Sequence, residues 1–168
     1  MSAQVDLLNL MAYDFIAPQF GNPPLTGHHA QLWSLNSAPN EVLKLSGASA
    51  VQYVLNNGVP REKLLLGIPL YGRSFLGASG LHRPYQGSGG REGIFEFREL
   101  PRSSTTELYD EFRVAAYCIG GDGGFVTYDN AVSVTAKAEY VKQIGLRGLF
   151  FWHVGFDRCG KDSLIEIG

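Results

Sequence analysis

The chain has 168 residues, 45% hydrophobic and 18% charged, which is enough for a domain with its own core and too apolar for a disordered segment. Its formal charge of -2 is scattered without a basic stripe, so neither nucleic acid nor an anionic membrane is suggested as a partner. No apolar run approaches the roughly 20 residues of a membrane-spanning helix, and Met1-Ser2-Ala3-Gln4 lacks the basic start and apolar core of a signal peptide. Cys118 and Cys159 have no neighbouring cysteine, so metal or redox spacing is absent and a single disulfide between them stays open. Neither a cofactor nor a metal is implied.

Val5 to Tyr13 is apolar on both faces, as in a parallel strand covered by helices. Alternation puts Asn9, Met11 and Tyr13 on one face and Leu8, Leu10 and Ala12 on the other. Proline and glycine between Phe15 and Leu45 (Pro18, Gly21, Pro23, Pro24, Gly27, Pro39) predict a long loop. Ser46 can cap a helix from Gly47 to about Asn57, ended by Gly58, with Val51, Val54 and Leu55 as its apolar stripe. Lys63 to Tyr71 reads as a second buried strand, in which Pro69 marks an end or irregular pairing.

From Ser74 to about Val126 glycine-rich loops alternate with short segments such as Ile94–Phe97 and Val114–Tyr117, the pattern of an inserted α+β unit. Asp129 or Asn130 can cap a helix from about Ala131 to Gln143, stopped by Gly145, with Lys137, Glu139 and Lys142 expected outside. Gly148 to Val154 is a third buried strand, and a final helix begins at Asp162. This α/β order fits either a small open sheet with an insertion or part of a closed eight-stranded barrel.

The C-terminal ends of parallel strands are where active-site residues collect. Here they carry Tyr13-Asp14, Tyr71-Gly-Arg73 and Trp152: a phenol, a carboxylate, a guanidinium and an indole face, a set suited to a polyhydroxylated ring. Asn9-Leu-Met-Ala-Tyr-Asp14, Leu65-Leu-Gly-Ile-Pro-Leu-Tyr-Gly-Arg-Ser-Phe75 and Gly148-Leu-Phe-Phe-Trp152, in this order, resemble three late-strand motifs of glycoside hydrolase family 18, the chitinases. Phe95-Glu-Phe97, Glu99-Leu-Pro101 and Thr127-Tyr-Asp129 are similar to the small domain that many members carry between their seventh and eighth strands.

The resemblance implies a partial TIM (β/α)8 barrel. Residues 1–73 would hold strands six and seven, 74–126 the α+β insertion, and 127–168 the following helix, strand eight and the start of the last helix. It also implies β-1,4-linked N-acetylglucosamine chains as ligand, an extracellular location, and the remaining barrel strands as a partner. Met11 and Tyr13 would lie at the subsite of cleavage, with Tyr13 donating to the N-acetyl oxygen; Asp14, Tyr71 and Arg73 would hold sugar groups; Trp152 would form an apolar floor.

In the family the substrate's own acetamide is the nucleophile and a glutamate in an Asp-x-x-Asp-x-Asp-x-Glu motif is the proton donor. None of the 16 acidic residues stands in that arrangement, so no catalytic residue is assigned and the chain alone is expected to be a very poor hydrolase. The alternative is a non-catalytic protein that holds chitin fragments. His28-His29, with His82 and His153, has no metal-ligand spacing. Trp33 either extends the cleft or tucks against a helix. His153, where many members have Glu, is expected by alternation to point away from Trp152.

Overall fold

Residues 4–20, 25–35 and 40–168 are described in a computed structural model. In chain order the strands are β1 (Leu8–Leu10), β2 (Leu64–Pro69), β3 (Tyr71–Phe75), β4 (Ile94–Glu96), β5 (Glu107–Asp110), β6 (Ala115–Gly120), β7 (Gly124–Tyr128) and β8 (Gly148–Trp152). The helices are α1 (Gly47–Asn56), α2 (Ala131–Ile144) and α3 (Leu164–Ile167). The strands form two sheets, a parallel one in the order β1-β2-β8 and an antiparallel one in the order β4-β3-β7-β6-β5.

Helices α1 and α2 start and stop where the sequence places the signals, whereas α3 begins at Leu164, capped by Ser163, rather than at Asp162. Ser46 Oγ accepts the Ser49 N–H and Ser49 Oγ accepts the Ser46 N–H, a reciprocal cap on α1. At α2 the capping residue is Asn130, whose Oδ1 accepts from Ser133 N–H, and Gly145 ends the helix at φ 76°, a conformation that costs glycine little. Asp129 is left free for another role.

Period-2 alternation divides the parallel sheet. Leu64, Leu66, Ile68 and Leu70 are at most 1% exposed and pack outward, the first pair with Val51, Tyr140 and Val141 of the helices, the second with Phe95, Val126 and Leu164. The opposite face carries Asn9, Leu65, Gly67, Phe150 and Trp152, whose registers are Asn9 with Leu65, Gly67 with Phe150 and Pro69 with Trp152. Gly67 is required there: a Cβ would lie 2.7 Å from the Leu10 carbonyl oxygen and 2.8 Å from the Phe150 ring.

Four expectations are corrected. The first strand covers only Leu8–Leu10, because the Ala12 N–H turns back to the Leu10 carbonyl at 2.8 Å instead of continuing the ladder. The second ends at Pro69, which has no N–H to give, and Tyr71 begins a strand of the antiparallel sheet. His153 lies beyond the end of β8, so alternation no longer governs it; its ring stands edge-on to Trp152 at 6.0 Å and packs tilted against Phe156 at 3.9 Å. Within the predicted loop, Gly21, Pro23, Pro24 and Pro39 lie outside the described residues, whereas His28 to Leu32 are buried between the sheets and α2.

The fourth correction concerns Lys137, expected outside but 2% exposed. It occupies the same stripe of α2 as Val134 and Val141, and its ammonium donates to both Asp129 carboxylate oxygens at 2.7 and 2.6 Å and to the Ala30 carbonyl at 2.6 Å. Asp129 Oδ1 also accepts from Ser133 Oγ at 2.6 Å. A buried charge is tolerated when it is paired and hydrogen-bonded in this way.

Removing one partner strands the other. Lys137→Ala is expected to lower unfolding free energy by about 3–5 kcal/mol, measured by urea denaturation, and the double change Lys137→Met with Asp129→Leu should recover much of the loss. A single-variant effect within about 0.5 kcal/mol of zero would contradict this assignment.

Candidate carbohydrate-binding site

At the C-terminal end of β1 the chain passes through Met11, Tyr13 and Asp14. Asp14 is held at φ 60°, which a non-glycine residue adopts at a cost, although Asp tolerates it better than most. The conformation aims its carboxylate across at β3, where Arg73 meets it in a fork: Nε donates to Oδ1 at 2.7 Å and Nη2 to Oδ2 at 2.6 Å. Both lie in low-exposure surroundings, which makes such a bidentate pair stronger than one on the surface.

Burial alone would raise the Asp14 carboxyl, but hydrogen bonds from His29 and Arg73, and the charge on Arg73, hold it well below the usual carboxylate range. Arg73 shows the converse: burial opposes its charge, and the Asp14 hydrogen bond and charge outweigh that. The fork is ionic at every ordinary pH. A third element joins it, since Gln19 Oε1 lies 3.5 Å from Arg73 Nη1. The Gln19 amide sits over Gly93, where a Cβ would come within 2.3 Å of its nitrogen.

Tyr13 is 9% exposed, its ring edge-on to Tyr71 at 6.1 Å and tilted against Phe150 at 6.3 Å. Tyr71 is 4% exposed and lies beneath Tyr13 and His29, so it supports the others from below. Burial, followed by the charge of Asp14, pushes both phenols up, so each keeps its proton. Met11 and Trp152 are 69% and 56% exposed, and Trp152 stands on the same face as Phe150. Tyr13, Asp14, Tyr71 and Arg73 therefore form one contact set, with Trp152 reached through Phe150.

Beside this set lies a cavity of about 390 Å³ lined by Arg91, Glu92, Ile94, Glu96, Glu99 and Phe156. Ile94 and Phe156 also pack against the Tyr13–Tyr71 cluster, so the cavity adjoins it. Glu96, Gln19 and His29 are neighbours of the site that spacing in the sequence does not disclose, because each comes from a different loop or strand. Trp33 stands edge-on to Tyr140 of α2 at 5.3 Å, against a helix. Cys118 and Cys159 are both free, the first buried in the antiparallel sheet and the second exposed. Among the described residues, no helix is long and apolar enough to cross a membrane.

A second depressed carboxyl, Asp110, is raised by burial but lowered more by hydrogen bonds from His28 and Arg113. Folded values below the ordinary carboxylate value of about 4 mean that the stability both residues add is fully present above that pH and is lost as pH falls through the folded values. The urea midpoint should therefore fall between pH 4 and pH 2, and less steeply in Asp14→Asn than in the parent. Parallel profiles for the two proteins would show that the fork does not contribute to acid lability.

A curated relative, Chitinase 1 of Aphanocladium album, is 35% identical over 168 residues, covering 96% of this chain and 38% of that protein. The class V chitinase from Nicotiana tobaccum has a TM-score of 0.82 at 33% identity, over 94% of this chain and 46% of that one. The GH18 chitinase from Cycas revoluta, solved in complex with (GlcNAc)3, has a TM-score of 0.81 at 34% identity, over 99% and 45%. The chain thus spans less than half the length of these relatives. Residues 1–157 match the model of the glycosyl hydrolases family 18, and with these likenesses the chain belongs to that family.

Proposed function

We propose that this chain is the late part of a chitinase-type barrel, and that it holds β-1,4-linked N-acetylglucosamine units without being able to cut them alone. In this reading β1, β2 and β8 are strands six, seven and eight, and the five-stranded sheet is the insertion between the last two. The single observation that carries the proposal is the Asp14–Arg73 fork next to Tyr13, whose ring packs against Phe150 on the face of β8 that also carries Trp152. The likeness to a chitinase solved with (GlcNAc)3 supports the ligand class.

The chemistry of the site fits that ligand. The indole of Trp152 offers an apolar face to a pyranose, and the ionic fork offers fixed polar edges to hydroxyl and amide groups. Tyr13, kept protonated, would donate to the acetamide oxygen that attacks the anomeric carbon. That bond would hold the oxygen in line with the anomeric carbon, so Tyr13 would act by orienting the nucleophile rather than by stabilising the positive charge that develops on the ring formed. Leaving-group protonation needs a general acid, and Asp14 does not suit that role: its hydrogen bonds from His29 and Arg73 hold its carboxyl well below the usual carboxylate range, so it has no proton to give at ordinary pH. The proton donor would come from the strands that precede β1 in the barrel. An extracellular working location belongs to the same proposal.

The missing acid also favours a binding role for the chain by itself. Calorimetric titration with chitotetraose should give measurable heat and a change in tryptophan fluorescence. Trp152→Ala should weaken binding about tenfold or more, equivalent to roughly 1.4 kcal/mol. No heat and no spectral change would remove the binding reading. In a turnover assay on the same oligosaccharide the chain should be silent, and hydrolysis at the rate of a complete family member would overturn the assignment of the acid to other strands.

A further inference from the structure

His29 lies outside the motifs that carry the family likeness, yet it is fully buried against the Asp14–Arg73 fork. Its Nδ1 is 3.4 Å from Asp14 Oδ1, and its backbone carbonyl accepts the N–H of Phe15, the residue after Asp14, at 3.0 Å. The ring faces Tyr71 at 5.4 Å between centroids. Its other nitrogen, Nε2, is buried with no hydrogen-bond partner among the described residues. The neighbouring Ala30 carbonyl is held by Lys137, so the segment that carries the imidazole is pinned by the buried ion pair.

These contacts decide where the ring proton is. Asp14 is an ionised carboxylate and can only accept, so a bare Nδ1 would set two lone pairs against each other. The same tautomer would leave a buried N–H on Nε2 with nothing to receive it, the costlier kind of orphan. With the proton on Nδ1, the imidazole donates to Asp14 and only a lone pair is left unpaired. Burial keeps the ring neutral against the pull of the Asp14 and Asp129 carboxylates, with Arg73 acting in the same direction as burial.

We infer that His29 is the positioning residue of this site: a neutral imidazole with its proton on Nδ1 that donates to Asp14 Oδ1 and fixes the direction in which the carboxylate faces a ligand. Asp14 has to be held at positive φ with its oxygens already shared with Arg73, and Arg73 alone constrains the plane of the carboxylate from one side only. His29 adds the second side, through its ring, and ties down the following peptide through its carbonyl. The part of the inference that concerns ligand affinity rests on the proposed carbohydrate function; the tautomer and the hold on Asp14 do not.

Nitrogen-15 NMR of the full chain should show Nδ1 protonated and Nε2 bare, and a wild-type ring protonated on Nε2 would overturn the inference without any variant. In His29→Phe, which keeps a ring against Tyr71 but removes the donor, carbon-13 NMR should show the Asp14 carboxyl titrating at higher pH than in the parent. His29→Asn, which keeps a short donor, should restore part of that shift. Chitotetraose affinity should fall about tenfold in His29→Phe, the effect of losing one charge-assisted hydrogen bond, and less in His29→Asn. A folded His29→Phe with unchanged Asp14 titration would sink the positioning role. If the parent chain fails to bind chitotetraose, the proposed function falls while the tautomer and the Asp14 titration still judge His29.

Discussion

The buried ammonium of Lys137 holds together parts of the chain that are far apart in sequence. It reaches Asp129 at the end of β7 and the Ala30 carbonyl in the segment after β1, while its own backbone belongs to α2, which covers the parallel sheet. A lysine stem on the apolar stripe of a helix is tolerated because its four methylenes pack like the neighbouring valines and its charge is fully paired. Through this contact the two sheets and the helix layer share one fixed point. The segment 28–32, which has no secondary structure of its own, becomes part of the interior.

From that fixed point the site is assembled in sequence. Ala30 is held, so His29 is held; His29 and Arg73 together hold Asp14 in its positive-φ conformation; and Tyr13, next to Asp14, is set against Tyr71 and Phe150. Gly67 is the other enabling feature, since it leaves room for Phe150 to cross the middle of the parallel sheet. Residues that touch a ligand would be a minority of this arrangement. Most of it consists of groups that restrict one another, which is how a small site keeps its polar atoms in fixed directions without a ligand present. Binding then costs less ordering.

Much of this was legible in the amino-acid order. Ser46 and Gly145 announce helix ends by chemistry that acts within four residues, and Leu64, Leu66 and Ile68 announce a strand buried on its outer face by alternation. The family followed from Tyr13-Asp14, Tyr71-Gly-Arg73 and Trp152, because short motifs at strand ends are set by the chemistry of the site. Lys137 was misplaced because charge is a good guide to exposure only when no partner is buried with it, and Asp129 is eight positions away on another element. His153 was misplaced because the strand had already ended, and alternation has no meaning beyond its last ladder bond.

By itself, then, the sequence determined most of the elements, the family and the residue types gathered at the strand ends, since these depend on contacts between near neighbours in the chain and on motifs of a few residues. The tertiary structure alone decided that Tyr71 begins the second sheet, that His29 stands against Asp14, and that Lys137 lies inside. Each depends on a contact between segments whose separation along the chain carries no periodic signal. Such contacts are chosen by what fits and by which buried polar groups find partners, and neither is written in local order.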